Sequence, residues 1–188
     1  MLAAGVAEFA AGDGGVQIWA EGPEGRRSEA KLRHQLGPAQ TLVIWGAPPG
    51  PEVLRRALDR VDPTRVVLFE PEGALDTLAA FLSYLAGLVK HALRVREGRV
   101  NVPELAAQAG HRELAVRLGL DWLEAKGHIR VEDVGGIVVE LSPGESRDDD
   151  VARHVGAELR EALAEAAAYR RFYRRADGSN LVDFNRTG

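Results

Sequence analysis

Two short apolar runs, each rich in β-branched residues, constrain the fold of this chain more than any other feature. They occupy residues 41–45 and 65–69, and their unbroken apolar character predicts strands that are covered on both faces. Between them, apolar side chains recur at helical spacing after Pro51, a residue that suits the first turn of a helix. Pro63 ends that helix, because the residue before a proline is disfavoured in the α region. Strand, helix and strand in so few residues predict a right-handed parallel crossover.

The rest of the chain carries patterns for three more helices and three more strands. The sequence predicts helices over residues 75–95, 102–109 and 112–126, and strands over residues 16–20, 128–131 and 137–141. A polar break separates the first two helices at residues 94–99. The order helix, helix, turn, helix, β-hairpin is typical of a winged helix.

A final helix is predicted over residues 150–175, after a Ser/Pro/Gly linker at residues 142–146. We therefore expect an α/β protein, α+β overall, in four parts. These are a small α/β lobe over 12–74, a winged-helix-like lobe over 75–141, a linker and bracing helix over 142–176, and a flexible tail over 177–188.

Composition excludes several classes of protein. The chain has 24 basic and 28 acidic residues, a formal net charge of −4, and this balance disfavours a general nucleic-acid binder. It has no cysteine, which excludes disulfides and thiolate metal sites and fits a reducing compartment. No apolar run reaches about 18 residues and no secretory signal opens the chain, so we expect a cytoplasmic protein.

Motifs that would carry catalysis are weak or missing. The loop Gly46–Gly50 lies where a phosphate loop would lie, but it lacks the Gly-Lys-Ser/Thr ending and its two prolines remove N–H donors. Asp148–Asp150 suits the start of a helix better than a metal site. No two of the five histidines have metal-ligand spacing; they are His34, His91, His111, His128 and His154. We therefore predict no catalytic residue, no metal site and no cofactor in this chain.

The helix over residues 112–126 would be the one to enter the major groove if the winged helix bound DNA. Its charges roughly cancel: Arg112, Arg117 and Lys126 stand against Glu113, Asp121 and Glu124. This balance disfavours sequence-specific readout and favours a docking or structural role. A winged-helix DNA-binding regulator with an α/β sensing lobe stays as the alternative.

The sharpest cluster lies at the end of the last helix, with four arginines and three aromatic residues in seven positions. Guanidinium groups can bind a phosphate backbone or an acidic peptide with an aromatic anchor. Alternatively, arginines suit a helix C-terminus and cover apolar surface with their stems. The predicted contact surface is Tyr169, Arg170, Arg171, Phe172, Arg174 and Arg175, with Arg130 on the hairpin as a weaker candidate.

Three stretches read in order resemble the C-terminal region of the bacterial RecJ family, the single-strand-specific 5′→3′ DNA exonucleases. The first is a strand that ends in a double proline, a helix, and a second strand that begins after Asp62-Pro63-Thr64, together residues 42–69. The second is the winged-helix-like segment, with residues 102–106 and 127–131. The third is the tyrosine-arginine run over residues 169–175.

The RecJ resemblance implies an accessory domain rather than a nuclease. The family's catalytic centre uses clusters of Asp and His that hold manganese or magnesium, and this sequence has none of those clusters. We therefore expect a C-terminal domain of a longer enzyme, of the kind found in deinococci. The expected partners are the tail of a single-stranded DNA-binding protein or a HerA-type DNA translocase, with at most a weak contact to single-stranded DNA. A third possibility is a small independent enzyme that uses the loop from Gly46 to Pro51.

Overall fold

The structure is a computed structural model that describes residues 15–26, 29–69 and 75–175. The predicted flexible tail over 177–188 and the first residues of the predicted α/β lobe lie outside the described residues. The described part is a mixed α/β protein with one parallel sheet, one antiparallel sheet and a long C-terminal helix, as the sequence predicts.

The parallel sheet has the strand order β2-β1-β3-β4. Its strands are β1 (Val16–Ala20), β2 (Ala30–Lys31), β3 (Thr41–Trp45) and β4 (Arg65–Phe69). Helix α1 (Pro51–Val61) connects β3 to β4, which pair in parallel and in register from Thr41 opposite Arg65. The parallel crossover predicted from the two apolar runs is confirmed.

Strand β2 was not predicted from the sequence. The structure has a 3-10 turn at Gly22–Arg26 and then β2, whose two residues pair with β1. Two residues carry no periodicity, so the neighbouring strand decides that they are extended.

The second sheet belongs to the winged-helix arrangement. In chain order the elements are α2 (Leu78–Val95), β5 (Arg99–Asn101), α3 (Val102–Ala109), α4 (Glu113–Ala125), β6 (Ile129–Asp133) and β7 (Val138–Pro143). The sheet is antiparallel with the order β5-β7-β6. The three helices and the hairpin are confirmed. The predicted C-terminal bound of the polar break at residues 94–99 was wrong, because Arg99 is the first residue of strand β5. This short strand forms by pairing with β7.

The last helix, α5 (Asp149–Arg175), runs antiparallel to α4. Lys126 at the end of α4 pairs with Asp149, and Arg112 before α4 pairs with Glu165. Leu159 and Leu163 lie in the core of the second lobe, whereas Tyr173 lies in the core under the parallel sheet. One helix therefore contributes to both hydrophobic cores.

Helix α2 is the central helix of the second lobe. By length and composition alone it is long and apolar enough to cross a membrane, with a mean hydropathy of 1.3. In the structure its buried residues form part of the core of that lobe: Phe81, Leu82, Leu85, Val89 and Ala92.

Two mid-helix glycines allow a matched test of this packing. A Cβ atom on Gly119 of α4 would lie 3.0 Å from the ring of Phe81 and would overlap Leu85, and both side chains are fully buried. We expect Gly119→Ala to destabilise the protein by about 1–3 kcal/mol through overpacking. A Cβ on Gly87 of α2 would touch nothing, so Gly87→Ala should stabilise it by up to ~1 kcal/mol. Urea unfolding measures both, and a stabilised Gly119→Ala would contradict the close packing of α2 and α4.

Candidate functional site

The predicted contact cluster at the end of α5 divides between two sides of the helix. Arg171, Phe172, Arg174 and Arg175 are exposed, with 57% of Phe172 accessible to solvent. Tyr169 is half-buried, and its ring lies 6.4 Å from that of Phe172. The outer side of the helix therefore exposes four of the six residues of the predicted cluster, and their role as a contact surface stays a prediction.

Arg170 is the exception, because its side chain lies inside the molecule with only 6% of the residue exposed. Its guanidinium group forms an ion pair with Asp76 and donates to the carbonyl of Gly110. Its Nε donates to the carbonyl of Ala47 at 3.2 Å. The prediction that Arg170 belongs to an exposed contact surface is therefore wrong. The helix turns this residue toward the junction of the two lobes, where it has polar partners.

The Arg170 contacts connect three separate stretches of chain. Ala47 follows β3, Asp76 precedes α2, and Gly110 ends α3. Burial lowers the pKa of Arg170, and the carboxylate of Asp76 opposes that shift. A charged group held by an ion pair and two carbonyl acceptors satisfies the requirement that buried charges have partners.

A second arginine joins the lobes on the same side. Arg33 forms an ion pair with Glu21 and donates to the carbonyl of His111 at 3.0 Å. Glu21 also accepts from the indole Nε1 of Trp19 at 2.9 Å. Trp19 and Glu21 lie at the end of β1, so this network ties that strand to the turn before α4.

The two backbones also touch at this junction. Gly22 and Gly110 both have positive φ values, 66° and 68°. A Cβ on Gly110 would lie 3.1 Å from the Cα of Gly22, so a side chain there would push the lobes apart.

His111 is fully buried next to this network. Its Nε2 lies 3.0 Å from the carbonyl of Leu75, which can only accept, so Nε2 carries the proton. Its Nδ1 has no hydrogen-bond partner in the described part of the chain. Burial, followed by the charge of Arg170, lowers the pKa of His111 to about 3. The ring is therefore neutral at pH 7 and contacts the ring of Phe81 edge-on at 4.9 Å.

A small cavity of about 70 Å³ opens at the carboxyl ends of β1 and β3, the point at which the strand order of the sheet reverses. Ligands of doubly wound sheets commonly bind at such a point. Here Trp19, Trp45 and Arg174 contribute to the walls. The start of α1 is not free for an anion, because the Glu52 carboxylate lies against Gly50. This arrangement favours the interpretation of the Gly46–Gly50 loop as a structural connection.

Arg130 lies far from the end of α5. Arg130 is exposed on the hairpin and lies opposite Ser142 in the sheet. Ser142 precedes the first turn of α5 in the sequence, so Arg130 lies near the start of that helix. Helix α5 rises about 30 Å between Asp149 and Arg170. The structure therefore does not bring Arg130 together with the other predicted contact residues.

The acidic run at the start of α5 acts as a helix cap. The Asp148 carboxylate accepts from the backbone N–H groups of Asp150 and Val151, both at 3.0 Å. Asp149 accepts from Lys126 and Arg147, and these bonds lower the pKa of Asp149 to about 2. Within residues 15–26, 29–69 and 75–175, no group of three or more His, Asp or Glu side chains could hold a metal ion.

Sequence reasoning missed the inter-lobe network. Asp76, Glu21 and Arg33 belong to no motif, and their partners are distant in sequence. The only local signal is the turn predicted between the helices over residues 102–109 and 112–126, which contains Gly110 and His111 and gave no information about its contacts.

Comparison with known proteins identifies no relative of this chain. No family model, curated protein or solved structure matches it.

We expect Arg170→Met to destabilise the protein by about 2–4 kcal/mol, because it removes the buried cation and leaves the partly buried Asp76 carboxylate and two carbonyl groups without their donor. The neighbouring Arg171→Met is the matched control, since Arg171 is exposed and should change the stability by less than about 0.5 kcal/mol. Chemical unfolding of both variants measures the difference. Equal stabilities would show that the buried ion pair is dispensable.

His111 should make stability depend on pH. An unfolded histidine takes up a proton below a pH of about 6.5, whereas the pKa of His111 in the folded protein is about 3. The unfolded state therefore binds more protons, and the free energy of unfolding falls as the pH drops between these values. The loss approaches about 1.4 kcal/mol per pH unit.

Urea unfolding between pH 7 and pH 4.5 tests this expectation. In His111→Leu, the slope of the free energy of unfolding against pH should fall by the equivalent of about one proton. The control His128→Gln, at an exposed position, should keep the wild-type slope. An unchanged slope in His111→Leu would mean that another group titrates.

Proposed function

We propose that this chain is a non-catalytic protein-interaction domain of a RecJ-type 5′→3′ single-stranded DNA exonuclease, acting in DNA repair and recombination. Its partner would be the acidic tail of a single-stranded DNA-binding protein or a HerA-type translocase. The observation that carries the proposal is the exposed cationic and aromatic cluster at the end of α5, on a body with a net charge of −4. We call the exposed residues Arg171, Phe172, Arg174 and Arg175 the α5 contact patch.

The chemistry of the α5 contact patch suits an acidic peptide with an apolar side chain. The guanidinium groups of Arg171 and Arg175 can each bind a carboxylate through two parallel hydrogen bonds, and Arg174 adds positive charge beside them. Phe172, 57% exposed, offers an aromatic surface next to the ring of Tyr169. Aromatic and arginine side chains are the types that dominate protein interfaces.

The patch also has a rigid base. Arg170 and Tyr173 hold the same turns of α5 against both lobes, through the ion pair with Asp76 and through the core under the parallel sheet. Preorganised side chains lose less conformational entropy on binding, so the fixed helix end supports recognition.

The exposed surface of α4, the helix that would enter the major groove of DNA, is poorly suited to binding duplex DNA. Helix α5 covers one flank of α4, and the exposed residues of α4 include Glu113, Leu114 and Asp121. Arg117 donates to the carbonyl of Gly136 in the hairpin, so this cation already has a partner. A DNA-reading helix needs cations and amides in these positions. These observations favour the docking proposal over the DNA-binding regulator.

The test is a titration of the domain with the acidic C-terminal peptide of a single-stranded DNA-binding protein, followed by calorimetry. The variant Arg171→Glu, Arg174→Glu, Arg175→Glu should weaken binding more than tenfold, because three positive charges in the patch become negative and repel an acidic peptide. Arg170 is left intact, since changing it would disturb the fold.

The matched control is Arg153→Glu with Arg160→Glu, which alters exposed arginines elsewhere on α5. It should keep the wild-type affinity. Equal weakening in both variants would reveal a general charge effect and contradict a specific patch. Binding of random duplex DNA at 150 mM salt would support the alternative regulator.

A further inference from the structure

We propose that a groove between α2, α3 and the connection from β1 to β2 binds a small, uncharged molecule with a planar heterocycle and hydrogen-bonding groups at both ends. The groove has a volume of about 450 Å³ and is separate from the α5 contact patch. This volume lies within the usual range of small-molecule sites, which often form where two lobes meet. The inference goes beyond the proposed docking function and does not depend on it.

Two helix faces form the main walls of the groove. Tyr84, Gly87, Leu88 and His91 line it from α2, and Asn101, Glu104, Leu105 and Gln108 line it from the start and length of α3. Both sets follow the spacing i, i+3, i+4, i+7, so each is one continuous face of its helix. The first lobe closes the third side with Gly22, Gly25 and Leu32.

Gly87 keeps the groove wide. It lies in the middle of α2, where glycine is among the least favourable residues for a helix. A Cβ at this position would have no atom within 4 Å, so no neighbour requires a glycine for close packing. Its missing side chain therefore leaves open space in the part of the groove that α2 lines.

The groove carries little net charge. Arg96 and Glu104 form an ion pair at 3.1 Å, so the one carboxylate and the one guanidinium group in the lining neutralise each other. A ligand with a full charge of its own would therefore meet no unpaired opposite charge among the lining residues. This favours an uncharged ligand.

Hydrogen-bonding groups remain available along the α3 wall. Asn101 uses its side-chain oxygen to cap α3, accepting from the N–H of Glu104 at 2.9 Å, and this leaves its amide N–H₂ as a donor. Gln108 donates to Glu104 at 3.0 Å and keeps its carbonyl oxygen as an acceptor. Asn101 and Gln108 thus present a donor and an acceptor on the same helix face.

The remaining walls suit a flat ring. Tyr84, Leu88 and Leu105 provide aromatic and aliphatic surface, and His91 adds a second ring. Asn101 and Gln108 are seven residues apart, about 10 Å along the helix axis, so one ligand reaches both amides only if it carries polar groups at both ends. A nucleoside meets this requirement, because its flat base can stack on the apolar wall while the base edge and the sugar hydroxyls lie at opposite ends. The neutral lining favours a nucleoside over a nucleotide.

The experiment uses adenosine, cytidine and guanosine as probes in the millimolar range, with calorimetry and the shift in Tm as readouts. We expect at least one nucleoside to bind and to raise the Tm. The variant Gly87→Leu places a side chain in the groove, and it should reduce the affinity at least tenfold. We expect this variant to fold, because a Cβ atom at position 87 has no neighbour within 4 Å. Circular dichroism checks that it does.

Ser83→Leu is the matched control, because Ser83 is an exposed residue of the same helix outside the groove. It should bind like the wild type, and Gln108→Ala should weaken binding about tenfold. The absence of binding for all three nucleosides, or equal binding by Gly87→Leu, would overturn the proposal. Indole binding as tightly as the best nucleoside would overturn the role of the amides. The α5 patch variant should retain nucleoside binding, which separates this test from that of the docking function.

Discussion

The buried guanidinium group of Arg170 is the interaction on which the arrangement of the lobes depends. Burying a cation is unfavourable unless its hydrogen bonds and its charge are satisfied. Here the partners are the Asp76 carboxylate and the carbonyls of Ala47 and Gly110, which come from three different parts of the chain. The cation is satisfied only when all three meet, so it favours one position of the lobes over others.

The same helix end combines a structural side and an exposed side. Arg170 and Tyr173 face the interior, whereas Arg171, Phe172 and Arg174 face solvent. Because α5 also packs along α4 and enters both hydrophobic cores, its last turns are fixed at several points. A helix held in this way can present exposed arginines in a defined geometry, which is what the proposed docking function requires.

In the second lobe, the helix that would enter the major groove of DNA in a DNA-binding winged helix has a partly covered surface. This third helix is covered on one flank by α5 and carries acidic and apolar residues on its open face. The open space in this lobe lies elsewhere, along α2 and α3, where Gly87 leaves a groove lined by amides and rings. Surface charge and cavities, rather than the order of the elements, therefore guide the functional proposals.

The sequence by itself determined the elements that have local periodicity. It fixed the parallel crossover, the helix at residues 102–109 and the long final helix, because apolar spacing and helix-ending residues act over a few positions. It could not determine β2 and β5, whose two and three residues are extended only because a neighbouring strand pairs with them.

The tertiary structure alone decided the roles of Arg170 and Arg171. These adjacent residues are chemically identical, yet one is buried and the other is exposed. Their fates differ because neighbouring positions on a helix point about 100° apart, and the packing of α5 against both lobes sets which direction faces inward.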